Sequence, residues 1–150
     1  MRRVSWPWLV VSGCIVLGIW GASMVPGVQS DALSHTALYG VQVFLASLGL
    51  PVQWLSNFII RKMAHALEYA ALGFTMARGL DPEASGVRER LVPLVALLVL
   101  VPSVDETIQL FVPGRSGMVT DVLLDCCGAA VGVALSYTWG RVVWKKRGEK

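Results

Sequence analysis

The sequence is poor in charged residues. Asp, Glu, Lys and Arg together make up 15% of its 150 residues, whereas a water-soluble domain of this length carries about 25%. Apolar residues account for 55% of the chain, and the mean hydropathy is +0.60. This balance excludes an ordinary soluble domain and indicates an integral membrane protein.

Cysteine and histidine are also scarce, with three and two residues. Cys14, Cys126 and Cys127 fall inside apolar stretches, where a thiol packs like a small apolar group. Their spacing matches neither a disulfide framework nor a CxxC metal motif. A disulfide-stabilised scaffold and a thiolate metal site are therefore not expected.

The chain contains several long apolar runs. A transmembrane helix needs about 20 mostly apolar residues to cross a hydrocarbon core roughly 30 Å thick. We expect four such helices in a single domain over residues 1–150, at about 6–25, 61–79, 91–111 and 120–140. The predicted fold class is therefore all-α, an integral membrane four-helix bundle. The first apolar run is longer than the core of a signal peptide, which favours an uncleaved span.

The distribution of lysine and arginine predicts the orientation of these helices. With four spans and a cytoplasmic amino terminus, ten of the thirteen basic residues lie inside, and only Arg61, Lys62 and Arg115 lie outside. A fifth span over residues 37–60 would leave five inside and eight outside, contrary to the positive-inside rule. Both termini are therefore predicted to be cytoplasmic, with the basic stretch 141–150 as a cytoplasmic anchor.

The segment 37–60 must then lie on the outer leaflet, between spans 1 and 2. Pro51 is expected to divide it into two short helices, at 37–50 and 52–60. Trp54 suits an interfacial depth. A re-entrant hairpin is the alternative, provided that protein covers its backbone.

The fourth span carries a small-xxx-small step formed by Gly128 and Gly132. Such a step lets two helix backbones approach closely. We expect this face to pack against a neighbouring helix, and it is a candidate surface for a homo-oligomer.

The most informative residues are polar side chains inside or beside the predicted spans, where membrane energetics disfavours them. They are Arg61, Lys62, His65, Glu68, Asp105, Glu106, Gln109, Arg115, Asp121 and Asp125. At 1.5 Å per residue, Glu68, Asp105 and Asp125 all lie roughly 8–10 Å below the outer ends of their helices. Since an ionised side chain facing lipid costs at least ~2.5 kcal/mol, these residues are predicted to share one polar pocket that opens outward.

Three interpretations of this pocket remain open. In the first, Arg61, Lys62 and Arg115 bind an anionic head group, because a guanidinium contacts phosphate or carboxylate through two hydrogen bonds. In the second, the histidine and the carboxylates act as general acid and base or hold a divalent cation. A hard ion such as Mg²⁺ or Ca²⁺ is favoured, since a zinc site usually has a second histidine or a cysteine. In the third, the charges pair across helices and only fix the register of the bundle.

Each polar residue has a candidate role under the functional interpretations. The catalytic candidates are His65, Glu68, Asp105 and Glu106. The ligand-binding candidates are Arg61, Lys62, Gln109, Arg115, Asp121 and Asp125. The identity of any metal stays open.

Several motifs of the chain resemble those of a known family. They are RKMAHALEY (61–69), DETIQLF (105–111), PGRSG (113–117) and DVLLD (121–125). At these residues, and over about residues 58–135, the chain resembles the VanZ-like family of bacterial membrane proteins. The resemblance implies a multi-pass protein of the bacterial cytoplasmic (inner) membrane with a role in the cell envelope. The founding member is associated with antibiotic resistance, as reduced susceptibility to the glycopeptide teicoplanin, and the resemblance names no reaction.

Together these observations predict a cell-envelope membrane protein whose outward pocket binds an anionic envelope lipid or a lipid-linked cell-wall precursor. Chemical modification of that lipid is an open extension of the prediction. The alternative is a non-enzymatic accessory or assembly protein whose charge cluster is structural. The expected partners are lipids, and nucleic acid is not among them.

Overall fold

The computed structural model describes residues 4–148, with side chains up to Arg141. This part of the chain consists of five α-helices without β-strands. The helices are α1 (Trp6–Ser23), α2 (Gly27–Ser47), α3 (Asn57–Leu80), α4 (Arg88–Gln109) and α5 (Val119–Gly148). The all-α prediction is confirmed, whereas a bundle of four helices is not, because α2 is a long additional helix. The predicted anchor at 141–150 lies largely outside the described side chains.

Local sequence explains several of the helix ends. A proline occupies the first turn of α1, where the missing N–H costs nothing. The hydroxyl of Ser56 caps α3 by accepting a hydrogen bond from the backbone N–H of Ile59 at 3.3 Å. Beyond the end of α2, Gly49 adopts a φ of 72°, a left-handed conformation that glycine reaches at no steric cost.

The region between α1 and α3 differs from its prediction. The predicted helix at 52–60 is wrong, because residues 48–56 are non-helical and α3 begins at Asn57. The Trp54 indole donates a hydrogen bond to the Pro51 carbonyl at 2.8 Å, and buried Leu55 anchors the resulting turn. Conversely, α2 begins at Gly27, well before the predicted start at residue 37. The first half of α2 is polar, so a prediction based on apolar runs did not detect where this helix begins.

Helix α3 lies at the centre of the fold. It packs most extensively against α5 and also contacts α1, α2 and α4. A Cβ atom on Gly128 would crowd the backbone of Ala66, and one on Gly132 would overlap the carbonyl of Ala70. The predicted close approach of the small-xxx-small step is therefore confirmed, with α3 of the same chain as the neighbour. Because α3 of the same chain already occupies this face, it is not a free surface for a second copy.

Three of the described helical segments are long and apolar enough to cross a membrane. They are α1, α4 and the Val119–Arg141 part of α5. Large apolar side chains on all three are exposed on the outside of the bundle, among them Leu17, Leu100 and Leu135. Such a surface is unsuited to water and indicates a membrane protein. Helix α3 has the length for a span, but its charged first half lowers its hydropathy.

A polar cluster around Asp81 closes the end of the bundle where α3 finishes. The Asp81 side chain accepts hydrogen bonds from the Ser85 hydroxyl at 2.7 Å, the Gly86 N–H at 2.8 Å and the Tyr137 hydroxyl at 2.8 Å. It also forms an ion pair of 3.3 Å with Arg90. This cluster ties the loop after α3 to α4 and α5, so that the two ends of α3 face different polar surroundings.

Candidate functional site

A buried polar group lies where α3, α4 and α5 meet. His65, Asp105 and Asp125 each offer a ligand atom, and these three atoms lie within 4.8 Å of one another. The exposed fraction is 0% for Asp105 and 1% for Asp125. We call these three residues the buried triad. They are contributed by three different helices, so that only the packed bundle assembles them.

Several polar atoms of this region lack a hydrogen-bond partner among the described residues. They are Nδ1 of His65, Oδ1 of Asp105, both carboxylate oxygens of Asp125 and the hydroxyl of Tyr69. A buried polar group without a partner costs about 1–3 kcal/mol, and a charged one costs more. Native proteins leave few such groups unsatisfied, and each one calls for an explanation. Their concentration at one place makes this region the candidate site.

Glu106 and Gln109 follow Asp105 on α4 and form a hydrogen-bonded group next to the triad. The Gln109 amide donates to Oδ2 of Asp105 at 3.3 Å and to Oε1 of Glu106 at 3.2 Å. The other Glu106 oxygen accepts a hydrogen bond of 2.7 Å from the backbone N–H of Met118. Glu106 thus holds the loop between α4 and α5, while Gln109 fixes the orientation of the Asp105 carboxylate.

The three basic site residues have partners of their own. Arg61 forms an ion pair of 2.6 Å with Asp31 on α2. Lys62 pairs with Asp121, which therefore does not join Asp125 in the buried triad. Arg115 donates hydrogen bonds of 3.0 and 2.8 Å to backbone carbonyls at the end of α1, where a cation is favoured by the helix dipole. Side chains at this end of the bundle thus tie α2, α3 and α5 together.

Two cavities flank the site and share Arg61, His65 and Arg115. The first, which we call the α2 cavity, measures about 270 Å³ and includes Glu68 in its wall. The second, which we call the loop cavity, measures about 300 Å³ and lies between α3, the loop after α4 and α5. Lys62 and Gln109 also line the loop cavity. The residues predicted to share one pocket are therefore divided between two cavities, and Asp105, Glu106 and Asp125 line neither of them. His65 lines both cavities and also belongs to the buried triad.

Sequence reasoning missed three participants. Asp31 is the partner of Arg61 and the single acidic residue of α2; the polar sequence around it gave no signal for this role. Tyr69 follows His65 by four residues and so shares its helix face. Asn57 lines the loop cavity, and no pattern in the sequence pointed to it.

The motifs that form this site also identify the family. The family model described as VanZ/LLP1 matches residues 8–140, nearly the whole chain and beyond the 58–135 region of the resemblance. No curated protein and no solved structure matches the chain significantly. The site residues from Arg61 to Asp125 all lie inside the matched range. The chain therefore belongs to the VanZ/LLP1 family.

Proposed function

We propose that this protein binds the anionic head group of a cell-envelope lipid at the outer leaflet of a bacterial inner membrane. The observation that carries the proposal is the charge of the loop cavity. Three basic side chains, Arg61, Lys62 and Arg115, line it together with one acidic side chain, Asp121. This excess of positive charge favours an anionic ligand.

The size and donors of the loop cavity support a head group of about phosphate size. Its volume of about 300 Å³ lies at the lower end of the range for small-molecule sites, roughly 300–1,000 Å³. The side chains of Arg61 and Lys62 keep 33% and 24% of their surface exposed despite their ion pairs. A guanidinium has five N–H donors, and Arg115 uses only part of this set on the α1 carbonyls.

The proposed topology has α1, α3, α4 and α5 as spans and both termini in the cytoplasm. The positive-inside rule favours it, because it leaves only the three loop-cavity cations outside. Helix α2 would then lie on the outer leaflet. Its large side chains Val28, Leu33, Tyr39 and Phe44 are exposed, as expected for a helix in contact with lipid. In this position the exposed side chains of α2 would contact the acyl chains of a lipid whose head group occupies the loop cavity.

A chemical step on the bound lipid is a further part of the proposal. Glu68, which lines the α2 cavity beside His65, is the acid–base candidate. The resemblance to a family whose founding member affects teicoplanin susceptibility makes a lipid-linked cell-wall precursor a candidate ligand. Glycopeptide susceptibility is accordingly the phenotype to measure in a deletion strain.

Lipid analysis of purified protein tests head-group binding. Mass spectrometry of detergent-purified wild type is expected to find an enriched anionic lipid, and Lys62→Gln is expected to lose at least half of it. The matched control is Arg88→Gln, which removes an exposed positive charge at the other end of the bundle and should leave the lipid content unchanged. Equal lipid profiles for all three proteins would contradict the proposal.

The ion pairs favour a second candidate, a structural accessory protein without a ligand. Arg61 and Lys62 both have carboxylate partners on other helices, as expected for charges that fix helix register. In that case Lys62→Gln lowers the melting temperature in detergent while wild type and variant carry the same lipids. The same purified samples therefore distinguish the two functions.

A further inference from the structure

The buried triad has features that head-group binding does not use. His65, Asp105 and Asp125 lie below the basic side chains, and the two carboxylates are inaccessible to solvent. We propose that the buried triad binds one divalent transition-metal ion of the Zn²⁺ or Mn²⁺ class inside the bundle.

The three side chains lie close enough to share one ion. Their ligand atoms are within 4.8 Å of one another. In a tetrahedral Zn²⁺ site with bonds of about 2.0–2.2 Å, neighbouring ligand atoms are about 3.3–3.6 Å apart. A closure of about 1 Å, within the reach of side-chain rotation, would bring the three atoms to this separation.

The carboxylates of the triad carry charge that no described ion pair compensates. The described ion pairs join Arg61 to Asp31, Lys62 to Asp121 and Arg90 to Asp81. None of them includes Asp105 or Asp125. Two buried carboxylates without a cationic partner are costly in a low-dielectric interior. One divalent cation would neutralise both.

The hydrogen bonds of the triad leave ligand atoms available to an ion. Both oxygens of Asp125, one oxygen of Asp105 and Nδ1 of His65 have no partner among the described residues. The second oxygen of Asp105 accepts from Gln109. A metal-ligating carboxylate typically has its other oxygen held by such an outer hydrogen bond. Gln109 therefore orients Asp105 with its unpartnered oxygen towards the triad.

The donor set selects the class of metal. Mg²⁺ and Ca²⁺ prefer an all-oxygen shell, which a site with an imidazole does not provide. One imidazole and two carboxylates suit Zn²⁺ and Mn²⁺ better. The sequence favoured a hard ion because no second histidine or cysteine accompanied His65, and the triad has none either; the class of metal therefore depends on the single imidazole donor. Since His65 also lines both cavities, the outer cavities offer the ion a route of entry.

Metal content is the first test. Full-length protein in detergent is treated with EDTA, loaded with ZnCl₂ or MnCl₂, desalted and analysed by inductively coupled plasma mass spectrometry. Wild type is expected to retain about one ion per chain, and Asp125→Asn at most a tenth as much. Asp121→Asn, one helical turn earlier and paired with Lys62, is the matched control and should retain the ion. Wild type without retained metal, or equal loss in both variants, would overturn the proposal.

Visible absorption of bound Co²⁺ is a second test, and it can be made on wild type even if a variant does not fold. Co²⁺ bound to nitrogen and oxygen ligands in a constrained site absorbs visible light, so CoCl₂ should produce such a spectrum in wild type. The spectrum should disappear on addition of Zn²⁺ and be absent from His65→Gln. ZnCl₂ should also raise the melting temperature of wild type, because a ligand that binds only the folded state stabilises it. If Co²⁺ produces no visible spectrum in wild type and Zn²⁺ does not raise its melting temperature, the triad is not a transition-metal site. This conclusion holds whether or not the purified protein carries an anionic lipid.

Discussion

The protein buries carboxylates at both ends of α3, and the two groups differ in how their oxygens are satisfied. Asp81 has an exposed fraction of 2%, and it accepts three hydrogen bonds and pairs with Arg90. Asp105 and Asp125 are at least as deeply buried, yet three of their four oxygens lack a partner among the described residues. Burial of an acidic residue is therefore a poor marker of function by itself. What distinguishes the buried triad is its unsatisfied hydrogen bonding and uncompensated charge.

Removal of the Asp81 carboxylate, whose oxygens all have partners, should cause the largest change in the free energy of unfolding. Asp81→Ala leaves the Arg90 guanidinium and the Tyr137 hydroxyl without their partner. Loss of one member of a buried ion pair costs about 3–5 kcal/mol, and we expect a decrease in the free energy of unfolding of this size. Chemical unfolding in detergent, followed by circular dichroism, measures it. The control Glu83→Gln, an exposed acid two residues away, should stay within about 0.5 kcal/mol of wild type.

Removal of the unsatisfied carboxylate should have the opposite sign. In metal-free protein, Asp125→Asn replaces a buried carboxylate by a neutral group, so its free energy of unfolding should rise by about 1–3 kcal/mol. The gain should vanish when wild type is loaded with Zn²⁺, since the ion then stabilises only wild type. The same unfolding measurement applies. A loss of stability in metal-free Asp125→Asn as large as that in Asp81→Ala would remove the contrast between the two clusters.

The smallest expected change is in the pH dependence of the free energy of unfolding, through Asp81 in the loop after α3. Burial raises the pKa of Asp81, but hydrogen bonds from Ser85, Gly86 and Tyr137 outweigh burial, so the pKa lies below its usual value of 3.8. A lowered folded-state pKa means that the ionised carboxylate stabilises the fold at pH values above about 3.9. This contribution is lost as the pH falls through the lower, folded-state pKa. Unfolding measured between about pH 2 and 6 should show this loss in wild type, and Asp81→Asn should lack that part of the pH dependence.

The sequence predicted the elements that depend on apolar length and on local breaks. Helices appear at the positions expected for all four spans, because long apolar runs between loop residues specify a helix in a membrane. The α2 region was the main error. Its first half contains the polar residues Gln29, Ser30 and Asp31 and so gave no apolar run to predict a helix, yet the structure is helical there and the Arg61–Asp31 ion pair joins it to α3. Its second half ends at Ser47, where a turn replaced the predicted second helix.

The chain by itself determined that the protein is all-α, that it has a membrane character and that the polar residues between Arg61 and Asp125 lie at similar depths in their helices. These properties follow from composition and from a fixed rise per residue. Only the tertiary structure decided which polar side chains meet. Asp121 and Asp125 are one turn apart on α5, about 6 Å along the axis, yet the first pairs with Lys62 and the second joins His65. A shift of one turn changes the neighbour that a side chain meets, and the close packing of α3 on the glycine face of α5 sets that register.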